Sequence, residues 1–289
     1  MSKKKRSGFT TVLLILVGVI GLSLLLYPTF SNYLNSIHQG KAISAYVESI
    51  ENASAEENYI NREAAVNYNS NITKRSNTFV LTDTERAEYE SCLNMAGDGL
   101  IGYIEIPTIE LSLPIYHGTS DDVLNSSVGH LDWTSLPVGG EGTHCVLSGH
   151  RGLPSAKLFT NLDKLEVGDI FLLYILDEVL TYEVDQILIV DPKDTKDLQI
   201  VDGEDYCTLV TCTPYGINTH RLLVRGHRIE NIEEVAVVRV TSDAIQIEPL
   251  IIAPIIAFPM LIVLFVLILS LESGRKNKYS EMEVDDDEM

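Results

Sequence analysis

The chain has few cysteines and few basic residues for its length. Only four cysteines occur among 289 residues, and none lies in a CxxC motif or a paired Cys/His spacing, so no structural zinc site is indicated. Acidic side chains outnumber basic ones 41 to 21, which gives a formal net charge of −20. Because nucleic acids are bound through basic patches, this balance argues against nucleic acid as a partner.

The spacing of the cysteines gives little support for disulfide bonds. Cys207 and Cys212 lie five residues apart in one predicted strand, so their side chains point to opposite faces. Cys92 and Cys145 can form a pair, but no feature of the sequence requires one.

Two long apolar runs differ from the rest of the chain. Residues 9–26 contain no charged side chain, and residues 250–271 are apolar except for Ser270, with two prolines among them. Each run can cross about 30 Å of hydrocarbon as a helix, and proline is tolerated in such helices. We therefore predict transmembrane helices at 9–27 and 250–271. No small-x-small cleavage site follows the first run, which favours an uncleaved anchor over a signal peptide.

Basic residues flank both apolar runs on their outer sides. They are Lys3, Lys4, Lys5 and Arg6 before the first run, and Arg275, Lys276 and Lys278 after the second. By the positive-inside rule, both termini are predicted to be cytoplasmic and the segment between the spans extracellular. The acidic residues 285–288 are interpreted as a solvated tail.

The region between the first span and residue 98 is predicted to be mainly helical. Residues 39–65 are rich in Ala, Glu, Ser and Asn with weak amphipathic spacing, whereas the Asn- and Ser-rich residues 67–78 are predicted to form a loop. Thr82 is followed three residues later by Glu85, and this capping-box pattern predicts a helix from Thr82 to about Leu93.

From Leu100 onward the pattern changes to short runs of β-branched and apolar residues. Turn signals such as Gly139-Gly140 separate most of the runs, and residues 156–165 are predicted to form a short helix. Many short strands with one helical insertion predict a mainly β fold, a closed β-barrel. The predicted strands are 100–107, 111–116, 144–149, 169–175, 181–190, 206–213 and 221–228.

These patterns together predict an order of segments along the chain. A barrel with its own core lies between two membrane spans. The predicted segments are a basic cytoplasmic N-terminus (1–8), a first span (9–27), an extracellular helical or lid region (28–98), a β-barrel (99–232), a linker (233–249), a second span (250–271) and an acidic cytoplasmic tail (272–289).

Three reactive side chains lie at the ends of predicted strands. Cys212 ends the apolar run 208–212, and Arg221 opens the next strand nine residues later. A cysteine becomes an effective nucleophile as a thiolate, which needs a nearby positive charge or base. His150, at the end of the run 145–150, is the candidate base. The guanidinium of Arg221 is a candidate donor to an oxyanion.

Each of these residues also has an ordinary structural explanation. Cysteine is among the residues most often buried, and an arginine can pair with any of the 41 acidic residues. His144 starts the strand that leads to His150 and lies about 20 Å away, and His220 faces the side opposite to its neighbour Arg221. Because reactive groups concentrate where loops leave a rigid scaffold, the strand-end positions favour His150, Cys212 and Arg221.

The motifs around these residues resemble those of class C sortases, the pilus-polymerising type. TLVTC at 208–212 is similar to the sortase signature TLxTC, and RLLVRGHR at 221–228 continues it. Similar stretches elsewhere are LPIYHGTS at 113–120, TSLPVGGEGTHCVLSGHRGLPSAKLF at 134–159 and TPYGINTHR at 213–221. The resemblance covers about residues 80–230, and a second, C-terminal span is itself typical of class C.

The resemblance implies an eight-stranded sortase barrel in which His150, Cys212 and Arg221 take the catalytic positions. It implies a cysteine transpeptidase that cleaves an LPxTG-like sorting signal through a thioacyl intermediate and joins the product to a lysine amine of a second pilin. The expected partners are pilin or surface proteins with such signals, outside the cell membrane. No metal or cofactor is expected, because Asp121 and Asp122 offer too few oxygen ligands for calcium.

One family feature is missing from the sequence. Many class C sortases carry a lid with an Asp-Pro-aromatic motif before the barrel, and residues 60–100 contain no such motif. The nearest candidate is 77–83, in which Phe79 would pack over the thiol and Asp83 would reach Arg221. A plain linker before the helix capped by Thr82 explains the same residues equally well.

Other functions are compatible with the same residues. A housekeeping sortase shares the triad but attaches surface proteins to a peptidoglycan amine. A catalytically idle, membrane-tethered sortase-like binding module would be expected to lack one of the three residues, and all three are present. A signal peptidase fits poorly, because the chain offers no Ser/Lys pair in a recognisable context.

Overall fold

The computed structural model describes residues 4–72 and 79–231. It contains two compact units, one with residues up to Tyr33 and one that begins at Leu34 and includes the barrel. The first helix, α1, extends over Lys4–Asn52 and is followed by α2 at Ala55–Ile72 and α3 at Asp83–Ser91.

By length and composition, one helix among the described residues could cross a membrane. This segment is Leu16–Asn52 of α1, with a mean hydropathy of 1.3 in its most apolar window. The predicted first span, 9–27, lies within α1, which continues through Pro28. The predicted linker 233–249, second span 250–271 and tail 272–289 lie outside the described residues.

The prediction of a loop from residue 67 is wrong as far as Ile72, where α2 ends. Tyr68 and Asn69 are buried there. The side-chain amide of Asn69 donates to the carbonyl of Leu136 at 3.0 Å and accepts from its N–H at 2.7 Å. Two hydrogen bonds to the backbone N–H and C=O of one buried residue offset the weak helix propensity of asparagine.

The capping box predicted at the start of α3 is confirmed. The Thr82 hydroxyl accepts from the N–H of Glu85 at 3.3 Å, and the Glu85 carboxylate accepts from the N–H of Thr82 at 2.8 Å. Further along α3, the buried Tyr89 hydroxyl lies 2.9 Å from Nδ1 of His130 and accepts from the N–H of Gly118. These contacts fix α3 against the strands.

The predicted closed eight-stranded β-barrel is confirmed, and its strands follow the order β1-β2-β3-β4-β7-β8-β6-β5 around the barrel. The β2–β3 and β4–β7 pairs are parallel and the other pairs antiparallel. The strands are β1 Leu100–Ile106, β2 Leu111–His117, β3 Val128–His130, β4 Thr143–Ser148, β5 Ile170–Ile175, β6 Glu178–Val190, β7 Asp205–Thr213 and β8 His220–Ile229.

Short helical turns interrupt the barrel. The helix predicted at 156–165 is a 3₁₀ helix over Leu158–Lys164, with non-helical backbone at Phe159. The other short elements are an α-helical turn at Asp121–Leu124 and 3₁₀ turns at Pro107–Ile109 and Lys196–Leu198. The 3₁₀ helix at Leu158–Lys164 lies between β4 and β5, after His150 in the chain.

Two groups of apolar side chains pack on opposite faces of the barrel wall. Cys145 and Leu147 belong to the main core, whereas Val146 between them belongs to a smaller cluster. Because side chains alternate along a strand, the smaller cluster lies on the outer face. We call it the outer patch; its buried members are Val146, Leu198, Val210 and Leu223.

Substitution Tyr46→Phe tests a buried hydrogen-bond bridge between α1 and the barrel. The Tyr46 hydroxyl donates to the carbonyl of Ile101 at 2.9 Å and accepts from the N–H of Leu176 at 2.7 Å. Leaving these buried groups unpaired should lower the free energy of unfolding by about 1–3 kcal/mol. Chemical denaturation measures it, with the exposed Tyr59→Phe as matched control. Equal losses in both variants would contradict the bridge.

Candidate active site

Three neighbouring strands bring the predicted reactive residues to one end of the barrel. In the antiparallel β7–β8 pair, Cys212 lies directly opposite Arg221. In the parallel β4–β7 pair, Ser148 lies beside Val210. Two residues further along each of these two segments, His150 follows Ser148 and Cys212 follows Val210, so His150 lies level with Cys212. The three residues therefore lie at the same end of the barrel, where β4 and β7 end and β8 begins.

Cys212 and Arg221 also lie on the same face of the barrel wall. Paired residues on adjacent strands point to the same side of a sheet, and alternate residues share a face. Cys212 therefore shares the outer face with Val210, and its partner Arg221 shares that face with Leu223. The thiol and the guanidinium thus lie at the end of the outer patch, whose buried members are covered by neighbouring side chains.

The segment that carries His150 is held in place by backbone contacts. The N–H of Gly149 donates to the carbonyl of Val210 at 3.1 Å, and the Thr211 hydroxyl donates to the carbonyl of Gly149 at 2.7 Å. The N–H of Phe159 donates to the carbonyl of His150 at 3.0 Å. A side chain at Gly149 would lie 2.7 Å from the Phe159 ring. Glycine is therefore required for the chain to pass this ring.

Cys212 differs in exposure from the other cysteines. All four are free thiols, so Cys92 and Cys145 do not pair, and Cys212 alone is not buried. Cys145 instead lies beside Cys207 in the β4–β7 register. Burial raises the pKa of Cys92 to about 11 and raises the pKa of Cys207 well above its usual value. Thiolate formation is disfavoured at both sites. Against the effect of its burial, hydrogen bonds with Cys207 and His130 lower the pKa of Cys145, but that thiol is buried, so Cys212 is the accessible one.

The three arginines of β8 differ in the kind of partner that they bind. Arg225 forms two hydrogen bonds to the carboxylate of Asp185, at 3.0 and 2.7 Å. Arg228 donates to backbone carbonyls including that of Thr181 at 3.0 Å. The Arg221 guanidinium donates to the carbonyls of Asn218 and His220 at 3.4 and 3.1 Å, on the exposed side of the β7–β8 turn. Its remaining N–H groups can serve a ligand.

His144, the histidine within β4, is held by hydrogen bonds that stabilise the fold. The imidazole of His144 lies 2.8 Å from the carbonyl of Gln199 and 2.7 Å from the Thr208 hydroxyl. Burial lowers the pKa of His144. His220, the partner of Thr213 in the β7–β8 register, is exposed. Neither His144 nor His220 lies level with Cys212 on the neighbouring strand, as His150 does.

The predicted lid residues lie at the start of α3. The Phe79 ring packs edge-on against Trp133, with 5.0 Å between ring centroids, and Trp133 packs against the outer patch. Asp83 is the first residue of α3, where a carboxylate is favourable beside the helix N-terminus. A lid formed by Phe79 and Asp83 stays a prediction.

A cleft of about 490 Å³ opens at the same end of the barrel, and the reactive residues themselves do not line it. Its lining includes the chain neighbours of all three: Arg151, Thr213 and Leu222. The other lining residues are Asp163, Ile187, Ile189, Pro214 and Tyr215. Sequence reasoning missed Arg151, for which the position next to His150 was the one available signal.

A closed barrel that pairs an unburied thiol with a guanidinium at one end fits a cysteine acyl-transfer enzyme. Residues 104–229 match the sortase domain family. Among curated proteins, the chain is similar to sortase D of Bacillus subtilis, with 32% identity over half of this chain and 72% of that protein. The chain belongs to the sortase family and is a cysteine transpeptidase.

Solved structures bear out the resemblance to class C. Sortase C1 from Streptococcus agalactiae is 51% identical, with a TM-score of 0.65, and the match covers 66% of this chain and all of that one. Sortase C from Streptococcus pneumoniae is 44% identical, with a TM-score of 0.60 over 66% of this chain and 97% of that one.

Proposed function

We propose that this sortase polymerises pilins, and that Cys212, His150 and Arg221 carry out the reaction. The observation that supports these roles most directly is the register that sets Cys212 opposite Arg221 on the outer face, at the level of His150. The three residues provide a nucleophile, a general base or acid, and a hydrogen-bond donor for developing negative charge.

In the first half-reaction, the Cys212 thiolate attacks the threonine carbonyl of an LPxTG-like signal. The Arg221 guanidinium hydrogen-bonds the substrate or the oxyanion of the tetrahedral intermediate. His150 gives a proton to the glycine amine as the Thr–Gly bond breaks. The products are a thioacyl-enzyme and the released C-terminal peptide.

In the second half-reaction, the amine of a pilin lysine attacks the thioacyl carbon. His150 takes a proton from the amine, the C–S bond breaks, and an isopeptide bond replaces it. Water must compete poorly for the same carbon. The buried apolar residues of the outer patch lie next to the thiol, and such surroundings limit the water that reaches it.

The assignment of pilins as substrates is supported by the nature of the relatives. The similar sortase C from Streptococcus pneumoniae was studied for its pilin substrate specificity, and a Clostridium perfringens sortase C was solved with the C-terminal cell wall sorting motif. The identity to these chains, 44% and 48%, exceeds the 26% to sortase A of Streptococcus agalactiae.

We place the enzyme in the cell membrane with its barrel outside. The support is the apolar part of α1 and the basic residues before it. A second span at 250–271 and cytoplasmic termini complete this topology. An extracellular barrel would meet sorting signals and acceptor amines as secreted proteins emerge.

Product analysis distinguishes pilin polymerisation from wall anchoring. The full chain in detergent micelles is incubated with a pilin-like protein that carries an LPxTG-type tail and an acceptor lysine, with and without a peptidoglycan-stem amine. We expect a ladder of covalent multimers resistant to boiling in detergent. Wall-linked monomers without a ladder would show the housekeeping activity, and no product would indicate an idle binding module.

The substitution Cys212→Ala should abolish the thioacyl adduct with an LPxTG peptide, because no other thiol of the barrel is accessible. Intact-mass spectrometry detects the adduct, and Cys207→Ala serves as the matched control. An adduct of normal yield in Cys212→Ala would refute Cys212 as the nucleophile.

The substitution Arg221→Ala should lower the rate of thioacylation by roughly 10²- to 10³-fold, as loss of one oxyanion donor does. Single-turnover kinetics with a fluorogenic LPxTG peptide measure the rate. Arg86→Ala, which removes an arginine from an ion pair with Asp132, is the control. Unchanged kinetics in Arg221→Ala would assign the donor role to another group, such as Arg225.

We propose further that the segment containing Phe79 and Asp83 restricts access to the site. The support is the contact of Phe79 with Trp133, which packs on the outer patch. An aromatic pair contributes about 0.5–1.5 kcal/mol, so Phe79→Ala should raise kcat/KM for the peptide by roughly 2- to 10-fold. Val80→Ala, at an exposed neighbouring position, is the control. An unchanged or lower kcat/KM would remove the lid from the proposal.

A further inference from the structure

Arg151 follows His150 in the chain and is one of the more deeply buried charged side chains near the site. Its side chain is only 9% exposed. Nη2 lies 2.5 Å from a carboxylate oxygen of Asp163, and Nη1 donates to the Thr213 hydroxyl at 3.2 Å. One guanidinium therefore connects three segments: the His150 loop, the 3₁₀ helix at Leu158–Lys164 and the end of β7.

These contacts lie behind the catalytic face. Thr213 follows Cys212 in a strand, so the two side chains point to opposite sides of the sheet. Arg151 reaches Thr213 on the side of the cleft, away from the thiol. The guanidinium therefore supports the catalytic residues without sharing their surface, and it does not touch the reacting atoms.

The surroundings restrict Arg151 to this position. Its guanidinium carbon lies 6.0 Å from the centre of the Tyr215 ring. Gly152 has a positive φ of 78°, and a side chain there would lie 2.9 Å from the same ring. Asp163 is 44% exposed and holds the opposite edge of the guanidinium. A planar, charged group with partners on several sides resists rotation more than a flexible amine would.

We propose that Arg151 is a positioning residue that holds the His150 imidazole at its working distance from the Cys212 thiol. The proposal rests on the catalytic roles proposed above for these two residues. His150 lies just beyond the last β4 residue, Ser148, so strand pairing alone does not fix its distance from β7. The link from Arg151 to Thr213 ties the residue after His150 to the residue after Cys212.

The pH dependence of Cys212 alkylation tests this role without any substrate. The other thiols are buried, so iodoacetamide added to the folded full chain in detergent micelles reports Cys212. Arg151→Ala should lower the alkylation rate near neutral pH and change the pH profile. The kcat of the first half-reaction should fall by roughly 10- to 100-fold with little change in KM. Moving a catalytic group by about 1 Å can lower a rate by up to about 100-fold.

Three milder disruptive variants and one restoring variant separate positioning from folding. Arg151→Lys keeps the charge but loses the fork, and Thr213→Val removes only the hydroxyl acceptor. Asp163→Asn removes the charge of the partner, and Asp163→Glu should restore part of the loss. We expect each disruptive variant to change the alkylation profile in the same direction, with far-UV circular dichroism unchanged. If Arg151→Ala does not fold, the alkylation profiles of these variants test the proposal instead.

A double-mutant cycle with His150→Ala gives the decisive result. If Arg151 acts through the imidazole, Arg151→Ala should have no further effect on alkylation or thioacylation in the His150→Ala background. Independent, multiplicative losses, or an alkylation profile of Arg151→Ala equal to that of the parent and of the Arg86→Ala control, would overturn the proposal. A His150→Ala variant with full activity would instead refute the catalytic assignment itself.

Discussion

The register that joins β4, β7 and β8 is the constraint on which the site depends. Parallel pairing sets Ser148 beside Val210, and antiparallel pairing sets Cys212 beside Arg221. A slip of one residue in either pairing would move a reactive group to the other face of the wall. The same slip would expose core residues such as Leu147, which is fully buried. Packing of the core therefore enforces the geometry of the site.

Much of this arrangement could be predicted from local sequence pattern. The apolar runs before His150 and Cys212 stop where glycine or proline follows, so the ends of β4 and β7 were visible without tertiary information. The helix start at Thr82 was visible for a similar local reason, the reciprocal bonds with Glu85. The strand Val128–His130 could not be predicted in this way, because three residues are too few to show the alternation of a strand. Its place is set by pairing with β2 and β4.

Features that depend on distant partners could not be predicted. Asn69 lies in a helix because its amide pairs with Leu136, which lies 67 positions away in the chain. The surroundings of Arg151 are formed by Asp163, 12 positions on, and by Thr213, 62 positions on. Propensity and periodicity describe near neighbours, so they carry no information on such pairs.

The closure of the barrel has a consequence for how a peptide is recognised. Many peptide-binding domains add their ligand as an extra strand on the open edge of a sheet, and main-chain hydrogen bonds then hold almost any sequence. Here the eight described strands pair in a ring, so no strand is left at the edge of an open sheet. Under the proposed function, a sorting signal would be held mainly through its side chains and through loops, and a short motif would be selected over an extended backbone in general.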